Sequence, residues 1–353
     1  MIRSRWPRTA AATGCIRPEN TDGRHTVTAT APPFVGLPAD AAADTATPSA
    51  APRRRKGPRA RLVAWVRNGG VPTLVMFVPL LLTFGYFAWW PILKSLILAF
   101  QQTDLINDPT WVGLRNFERV LADPLLWTAA GNTVWFAVLA LFIGFPLPIL
   151  MAMVMAELRR SRQISSVLVY LPVIIPPVVS VLLWKQFYDP SSSGLFNTVL
   201  GWFGLGPIGW LQDPALAMPS IVIQATWATA GTATIIYLAA LMSIQAELYD
   251  AAEVDGASIL QRTWHVTLPQ LRSVILLMLL LQIIGTMQVF TDPFVMTGGG
   301  PENRTVTLLM LIYNYAFLSG DFGKATALSL LLAVVLSVIS AIYLRLTRKW
   351  SES

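Results

Sequence analysis

Amide, hydroxyl and indole side chains recur inside two strongly apolar runs of the chain. The candidates are Gln224, Trp227, Thr234, Gln282 and Thr286. The first three stand at i, i+3 and i+10 of one run, roughly on one face of a helix, and the other two are four residues apart in the next run. Amides and hydroxyls can hydrogen-bond a hydroxyl-rich solute, and an indole can stack on a sugar ring. Such residues also hold membrane helices together, so both roles stay open.

Other kinds of chemistry have few candidate residues. Cys15 is the single cysteine, which excludes an internal disulfide and a thiolate metal site. His25 and His265 are far apart and lack ligand spacing. The glycine-rich stretch 298–301 is not followed by the Lys-Ser/Thr pair of a phosphate-binding loop, and we interpret it as a flexible outer turn. We therefore predict no catalytic residue, no metal site and no ATPase site in this chain.

A polar island, 245–272, separates the two apolar runs that carry these candidates. Its first part is rich in helix formers, and Gly256 can supply the left-handed conformation that ends a helix. Ser258 with Gln261 fits a capping box that starts a second helix. Pro269 removes a backbone donor, so we expect that helix to end there. The pattern predicts two short helices joined by a tight turn, which on composition alone fits an ordinary solvated hairpin between two spans.

Composition places the chain in a membrane. Of its 353 residues, 54% are hydrophobic and 13% are charged, and the mean hydropathy is +0.55. Soluble domains carry about twice that share of charge. The net charge of +7 could suggest nucleic acid as a partner, but the basic residues cluster beside apolar runs, as membrane topology requires. We therefore predict an all-α integral membrane protein that binds lipid and no nucleic acid.

The chain divides into a tail and a membrane domain. Residues 1–70 are predicted to be a disordered basic cytoplasmic tail, and 71–350 a transmembrane domain. Each apolar run is near the roughly 20 residues that span a bilayer. The six runs are Pro72–Ile92, Thr133–Ala156, Ser166–Trp184, Met218–Met242, Ser273–Thr291 and Ala325–Leu344. Kinks are predicted in two of them by Pro146, Pro148, Pro172, Pro176 and Pro177.

Charge asymmetry predicts the orientation of these runs. With the tail inside, the inner flanks hold most basic residues: Arg53, Arg54, Arg55, Lys56, Arg59, Arg61, Arg67, Arg159, Arg160, Arg162, Arg262, Arg272, Arg345, Arg348 and Lys349. The outer loops hold fewer, namely Lys94, Arg115, Arg119, Lys185, Arg304 and Lys324. Both termini and the 245–272 island are therefore predicted to be cytoplasmic.

The outer loops carry two further signals. A turn is predicted where Asp189-Pro190, Gly194 and Asn197 follow the third run. Interfacial anchors are predicted at Trp89, Trp90, Trp111, Trp127, Trp184, Trp202 and Trp210. Inside the runs there is no ionisable side chain, which argues against an ion-driven carrier and favours an uncharged solute.

The polar island resembles the cytoplasmic "EAA" loop of ABC importer permeases. That loop reads Glu-Ala-Ala, three residues, Gly, nine residues, Ile, one residue and Leu-Pro. The matching positions here are Asp250, Ala251, Ala252, Gly256, Val266, Leu268 and Pro269. Asp250 and Val266 depart from the pattern but keep its chemistry. The stretches 111–136, 179–200 and 294–317 also resemble this family, in particular its carbohydrate (maltose-type) branch.

The resemblance implies a function, a fold and a set of partners. It implies a type I ABC importer transmembrane domain with a core of about 129–345, in a bacterial inner or plasma membrane. The partners would be a second permease, two ATPase subunits that hold ATP and Mg, and an outer solute-binding protein that delivers a sugar. Contact with the ATPase would fall to Glu247, Asp250, Ala251, Ala252, Gly256, Val266, Leu268 and Pro269.

Three alternatives remain at this point. Permeases for glycerol 3-phosphate share the outer-loop patterns, although a phosphate would favour a basic residue near the path, and the runs offer none. An ion-coupled secondary transporter would work without ATP. A membrane-embedded enzyme would need paired carboxylates, a Ser/His pair or metal ligands in or beside the spans, and the sequence shows none.

Overall fold

The computed structural model describes residues 71–104, 106–158 and 162–351, so the predicted tail and Arg159 and Arg160 lie outside the described residues. This part of the chain is built almost wholly of helices. The α-helices are α1 (Val71–Phe84), α2 (Trp90–Leu98), α3 (Arg115–Leu121), α4 (Pro124–Leu139), α5 (Pro146–Glu157), α6 (Arg162–Ile174), α7 (Pro177–Phe187), α8 (Leu195–Gly201), α9 (Ala217–Met242), α10 (Ala246–Val254), α11 (Ile259–Arg262), α12 (Leu268–Thr286), α13 (Thr291–Thr297), α14 (Leu308–Tyr313) and α15 (Phe322–Ser351). Two-residue strands β1 (Gln101–Gln102) and β2 (Thr110–Trp111) pair antiparallel.

The helices confirm the prediction of about six membrane crossings. Five are long and apolar enough to span a bilayer by themselves: Pro72–Leu98, Pro124–Glu157, Ala217–Met242, Ile259–Thr286 and Phe322–Arg348. The sixth crossing is a pair, Gln163–Ile174 and Pro177–Phe187, with an angle of 95° between its halves. The break falls at Pro176 and Pro177. Neither residue has a backbone N–H, so the helix cannot continue through them with its regular hydrogen bonds.

Several spans pass through π-helical turns, and three of these turns stand just before a proline. The pairs are Gly85–Trp89 with Pro91, Ala140–Gly144 with Pro146, and Thr263–Thr267 with Pro269. A proline cannot donate to the carbonyl four residues back, and its ring collides with that carbonyl. In each case the residue before the proline donates its N–H to the carbonyl five residues earlier, so the helix widens and continues.

The predicted helix end at Pro269 is therefore wrong. Helix runs without a break from Ile259 to Thr286, and Pro269 stands in the first turn of α12. The π turn Thr263–Thr267 absorbs the missing donor. The second half of the polar island is thus continuous with the fifth span, and its orientation is coupled directly to that span.

The fifth span also ends earlier than the sequence predicted. Its helix stops at Thr286 rather than Thr291, and Thr291 begins the separate helix α13. Pro293 accounts for the break, because its ring is tolerated in the first turn of a new helix but not in the interior of a continuing one. The break turns Asp292 back toward the bundle.

Helix α9 is the central element of the bundle. It packs against α5, α6 and α12, and its two ends belong to different apolar clusters. Gly231 permits the contact with α6: a Cβ at this position would overlap the carbonyl oxygen of Val169 and lie 2.9 Å from Cγ2 of Val173. This close approach fixes the wall that α6 and α9 share.

The loops predicted to lie outside the membrane confirm one prediction and correct two. Asn197 organises the predicted turn: its Nδ2 donates to the Asp189, Ser191 and Ile208 carbonyls, and its Oδ1 accepts from the Ile208 N–H and the Trp210 indole.

Trp184 is not an interfacial anchor. Its side chain is buried, and its ring packs against Phe196 and Trp227 at 5.6 and 5.4 Å. Lys94, predicted in an outer loop, lies within α2, and Lys324 lies in the first turn of α15. Long lysine stems let a helix continue past an apolar run while the ammonium reaches polar surroundings.

Two ion pairs join α3 and the start of α4 to the start of α15. Lys324 Nζ lies 2.8 Å from Asp123 Oδ2, which also accepts from the Tyr315 hydroxyl at 2.6 Å. Arg119 donates to Asp321 at 2.5 Å. These contacts join segments about 200 residues apart and fix α3 and the start of α4 against the start of α15.

Candidate functional site

A cavity of about 660 Å³ opens inside the bundle, and its size is typical of small-molecule sites. Its walls come from α4 to α7, α9, α12 and α13, including the break between α6 and α7. The lining is mostly apolar, with these polar or ionisable side chains: Ser180, Gln224, Thr226, Thr229, Thr232, Gln282, Thr286, Thr291 and Asp292. Three of the five residues predicted to contact solute, Gln224, Gln282 and Thr286, are among them.

Gln224 is the most constrained of these groups. Its side chain is 1% exposed, and its Nε2 donates to the Ser180 hydroxyl at 3.3 Å. Its Oε1 finds no hydrogen-bond partner among the described residues. A buried acceptor without a partner costs about 1–3 kcal/mol, so this oxygen is poised to accept from water or a solute.

A glycine keeps the opposite wall open. Gly144 ends the π turn Ala140–Gly144, and a Cβ there would lie 3.0 Å from Thr226 Oγ1 and 3.6 Å from Gln282 Nε2. Thr286 Oγ1 donates to the Gln282 carbonyl oxygen at 2.9 Å, which fixes the hydroxyl on α12. The amide of Gln282 and the hydroxyl of Thr286 thus share one helix face toward the cavity.

Trp227 and Thr234 lie outside the lining of this cavity. Trp227 packs on Trp184, and the Thr234 hydroxyl donates to the Ala230 carbonyl at 2.7 Å. At about 100° per residue, both are turned roughly 60–80° from Gln224 around α9. Both side chains contribute to helix packing.

Asp292 is the lining residue that sequence reasoning missed. It follows the fifth apolar run by one residue, so it does not count among the residues inside the runs, none of which is ionisable. Burial raises the pKa of its carboxyl above the usual range, although hydrogen bonds from its own backbone N–H and the Gln224 side chain act in the opposite direction. An acidic residue followed by proline at the end of an apolar run is the signal that could have revealed it.

The second candidate region is the polar hairpin, α10 with the tight turn and α11, residues 246–262. Gly256 adopts φ +73°, as predicted, and nothing crowds it. The predicted capping box is present: Ser258 accepts from the Gln261 N–H, and the Gln261 side chain accepts from the Ser258 N–H at 2.8 Å. Tyr249 and Thr267 are hydrogen-bonded at 3.1 Å, which holds α10 against the start of the fifth span.

Most of the predicted coupling residues are exposed, and five of the eight lie on this hairpin. Glu247, Asp250, Ala251, Gly256 and Pro269 are exposed, whereas Ala252, Val266 and Leu268 are half-buried. Apolar residues at the turn are also uncovered, with Val254, Ile259 and Leu260 exposed by 88%, 67% and 68%. A short helical hairpin with an exposed apolar tip can insert into a groove of a partner.

Within 71–104, 106–158 and 162–351, no group of three or more His, Cys, Asp or Glu side chains is placed to hold a metal ion.

Comparison with known families identifies one match. The family described as "Binding-protein-dependent transport system inner membrane component" matches residues 144–352. That range includes the cavity helices from Gly144 onward and the whole polar hairpin.

Individual relatives match most of the chain. The trehalose/maltose transport system permease protein MalF of Thermococcus litoralis is 33% identical over 275 residues, 78% of this chain and 92% of that protein. The arabinooligosaccharides transport system permease protein AraP of Halalkalibacterium halodurans is 29% identical over 81% of this chain and 91% of its own. The diacetylchitobiose uptake system permease protein NgcF of Streptomyces coelicolor is 29% identical over 84% and 86%.

A solved structure agrees with this result. A chain of a bacterial ABC transporter involved in the import of the acidic polysaccharide alginate superposes with a TM-score of 0.74 at 28% identity, covering 82% of this chain and 99% of its own. The same transporter is also known in complex with an alginate pentasaccharide-bound periplasmic protein.

Proposed function

The chain belongs to the family of binding-protein-dependent transport system inner membrane components, and on that premise we propose that it is the sugar-conducting permease subunit of an ATP-driven importer. It is a multi-pass protein of the bacterial inner membrane. Its substrate is a sugar or short oligosaccharide delivered by a binding protein on the outer side. Two ATPase subunits on the inner side, which bind ATP and Mg, supply the energy, and a second permease completes the pore.

The chemistry of the cavity carries the proposal of a sugar. Gln224, Gln282 and Thr286 present amide and hydroxyl groups to one space, and such groups match the hydroxyls of a carbohydrate. The described lining contains no Lys, Arg or His, which disfavours a phosphate ester such as glycerol 3-phosphate. Relatives named for trehalose/maltose, arabinooligosaccharides and diacetylchitobiose support the same substrate class.

Coupling to the ATPase is assigned to the polar hairpin. Asp250 is exposed for a basic or amide donor on the partner, and the small Ala251 and Ala252 allow close seating. Because helix is continuous from Ile259 to Thr286, a displacement of the hairpin moves Gln282 and Thr286 at the cavity wall. Closure of two ATPase subunits would therefore change access to the cavity.

The coupling assignment is tested by co-purification. The complex is solubilised with wild-type chain or with the double variant Asp250→Arg, Gly256→Val, and co-purifying ATPase and its stimulation by loaded binding protein are measured. A β-branched side chain at φ +73° should distort the turn, and the reversed charge should repel a basic partner. We expect the ATPase to be lost or unstimulated. Equal amounts of normally stimulated ATPase would refute the assignment.

The matched control is the double variant Asp108→Arg, Gly204→Val. Gly204 has φ +71° and no neighbour within 4 Å, and Asp108 is exposed, so the change in charge and the backbone strain are alike but lie outside the polar hairpin. Wild-type ATPase binding is expected for this control.

The substrate class is tested by uptake. Cells lacking the gene, and the same cells complemented with it, are given labelled maltose, trehalose, arabino-oligosaccharide and diacetylchitobiose in turn. Chain-dependent uptake of at least one sugar that stops on ATP depletion but survives an uncoupler is expected. The proposal would be rejected if uptake of none of these sugars depends on the chain, or if their uptake fails with the uncoupler alone.

A further inference from the structure

Asp292 gives the cavity a charge. Among its described lining residues, Asp292 has the single acidic or basic side chain, and it lines the cavity together with Ser180, Gln224 and Thr286. No described lining residue offers a cation to neutralise it. The ionised form of this carboxyl therefore directs a negative charge at whatever occupies the cavity.

The neighbours of Asp292 strengthen this bias. One amide hydrogen of Gln224 is used by Ser180, and the Gln224 side chain also lies within hydrogen-bonding reach of the Asp292 carboxyl. The remaining polar atom of Gln224, Oε1, is buried and has no hydrogen-bond partner among the described residues. This part of the cavity thus offers acceptors: two carboxylate oxygens and one amide oxygen. It fits a ligand that brings hydrogen-bond donors, such as hydroxyl or ammonium groups.

A ligand carboxylate would be disfavoured on two counts. It has no hydrogen to donate to these acceptors, and its charge would repel that of Asp292 in surroundings less polarisable than water. The repulsion falls only slowly with distance there, because few mobile ions screen it.

We propose that Asp292 is a specificity-determining residue that excludes carboxylate-bearing sugars from the cavity and favours neutral or amine-bearing ones. This inference rests on the proposed function, in which the cavity conducts a sugar. The permease would then add a charge criterion of its own to the choice made by a binding protein.

The charge filter can be measured without knowing the sugar. Cys15 is replaced by serine, and Thr229, which is exposed and lines the cavity, is replaced by cysteine as a reporter. The purified protein is reacted with two methanethiosulfonates, one bearing a trimethylammonium group and one bearing a sulfonate. The ratio of their rate constants reports the potential in the cavity, because the ionisation of the reporter thiol affects both reactions equally.

With Asp292 present, we expect the cationic reagent to be favoured, and with Asp292→Asn the ratio should fall about tenfold. Asp292→Glu should keep the wild-type ratio. Asp108→Asn removes an exposed carboxylate outside the lining and should leave the ratio unchanged. The uncharged methyl methanethiosulfonate checks that the reporter is equally accessible in each variant. A ratio that does not respond to Asp292→Asn, with access unchanged, overturns the proposal.

A misfolded Asp292→Asn protein would not block the test. In that case Asp292→Glu and wild type are compared at pH 8 and at a pH low enough to protonate the carboxyl, and loss of the preference in acid supports the filter while its persistence overturns it. The uptake assay fails or succeeds separately. An Asp292-dependent ratio without any chain-dependent sugar uptake would reject the proposed function and leave the charge filter standing.

Discussion

The cavity and the polar hairpin are both polar regions on an apolar scaffold, but different forces place their residues. The cavity brings together Ser180, Gln224, Gln282 and Asp292 from four helices. The hairpin is set by neighbours in sequence: Gly256 at φ +73° and the Ser258–Gln261 capping box. The first region depends on long-range packing and the second on local backbone chemistry.

This difference predicts how each region responds to change. Substitutions in the walls of the cavity should lower stability before they alter transport, because α6, α7 and α9 are held by close contacts. Substitutions on the hairpin should leave stability intact and affect coupling, because most of its side chains are exposed. The predictions below test that division.

The largest effect is expected at Gly231. Gly231→Ala should destabilise the protein by about 3 kcal/mol or prevent folding, because the new Cβ would overlap the Val169 carbonyl across the α6–α9 contact. Gly131→Ala is the control, since nothing lies within 4 Å of that helical glycine, and it should be neutral or stabilising by up to about 1 kcal/mol. Thermal unfolding in detergent measures both. If the two variants behave alike, the cavity wall does not depend on this contact.

A pair of tryptophans gives the next comparison. Trp227→Ala should cost about 3 kcal/mol, because its indole packs on Trp184 in the aromatic cluster behind the cavity. Trp264→Ala, at a position 63% exposed beside the polar hairpin, should change stability by less than about 0.5 kcal/mol. The unfolding midpoints of the two variants check this. A larger loss of stability for Trp264→Ala than for Trp227→Ala would contradict the idea that the cavity walls, and not the hairpin, carry the stability.

Two ion pairs extend the comparison to charges. Asp123 joins Lys324 and Tyr315 from distant segments, whereas Glu253, 76% exposed, lies 3.7 Å from Arg262 within the polar hairpin. Asp123→Asn should cost about 1–2 kcal/mol at pH 7, and Glu253→Gln nothing measurable. Asparagine keeps an oxygen that can accept from the Leu125 N–H at the start of α4, so the loss reports the contacts of Oδ2 with Lys324 and Tyr315.

The Asp123 variant also has a pH signature. Burial raises the pKa of this carboxyl, but hydrogen bonds from Lys324 and Tyr315 outweigh it, and the net folded-state pKa lies below 3.8. Its contribution is therefore complete above about pH 3.8 and is lost as the pH falls through the folded-state pKa. Between neutral pH and about pH 3, Asp123→Asn should show a shallower decline of the unfolding midpoint than wild type. Parallel declines would show that the ion pair adds no stability.

The smallest effect is expected at the capping box. Ser258→Ala should destabilise the first turn of α11 by about 1 kcal/mol, because the Gln261 N–H loses its acceptor. Faster hydrogen exchange at 259–262 with an unchanged global midpoint is the expected result. Ser243→Ala serves as control, since that hydroxyl donates to the Ala240 carbonyl and caps no N–H. A drop in the global midpoint for Ser258→Ala would mean that the hairpin is part of the stable core.

The same division explains what the sequence could predict. The hairpin turn, the Asn197 loop and the helical spans follow from local chemistry and apolar run length, and the structure confirms them. Gln224 and Gln282 were found from periodicity, but periodicity could not tell that Trp227 turns into packing. Asp292 was missed because only the break at Pro293 brings it to the cavity. Pro269 was misjudged because a π turn, which sequence patterns do not mark, absorbs it.

The π turns have a consequence for length variation in this chain. A helix with a π turn contains one residue more than the regular helix would need, and that residue rotates everything after it by about 100°. The π turn Ala140–Gly144 and Pro146 should therefore be gained or lost together. A variant that loses Pro146 and also one residue of 140–144 can still present Gly144 and Pro148 to the cavity. Either change alone would rotate α5 relative to α9.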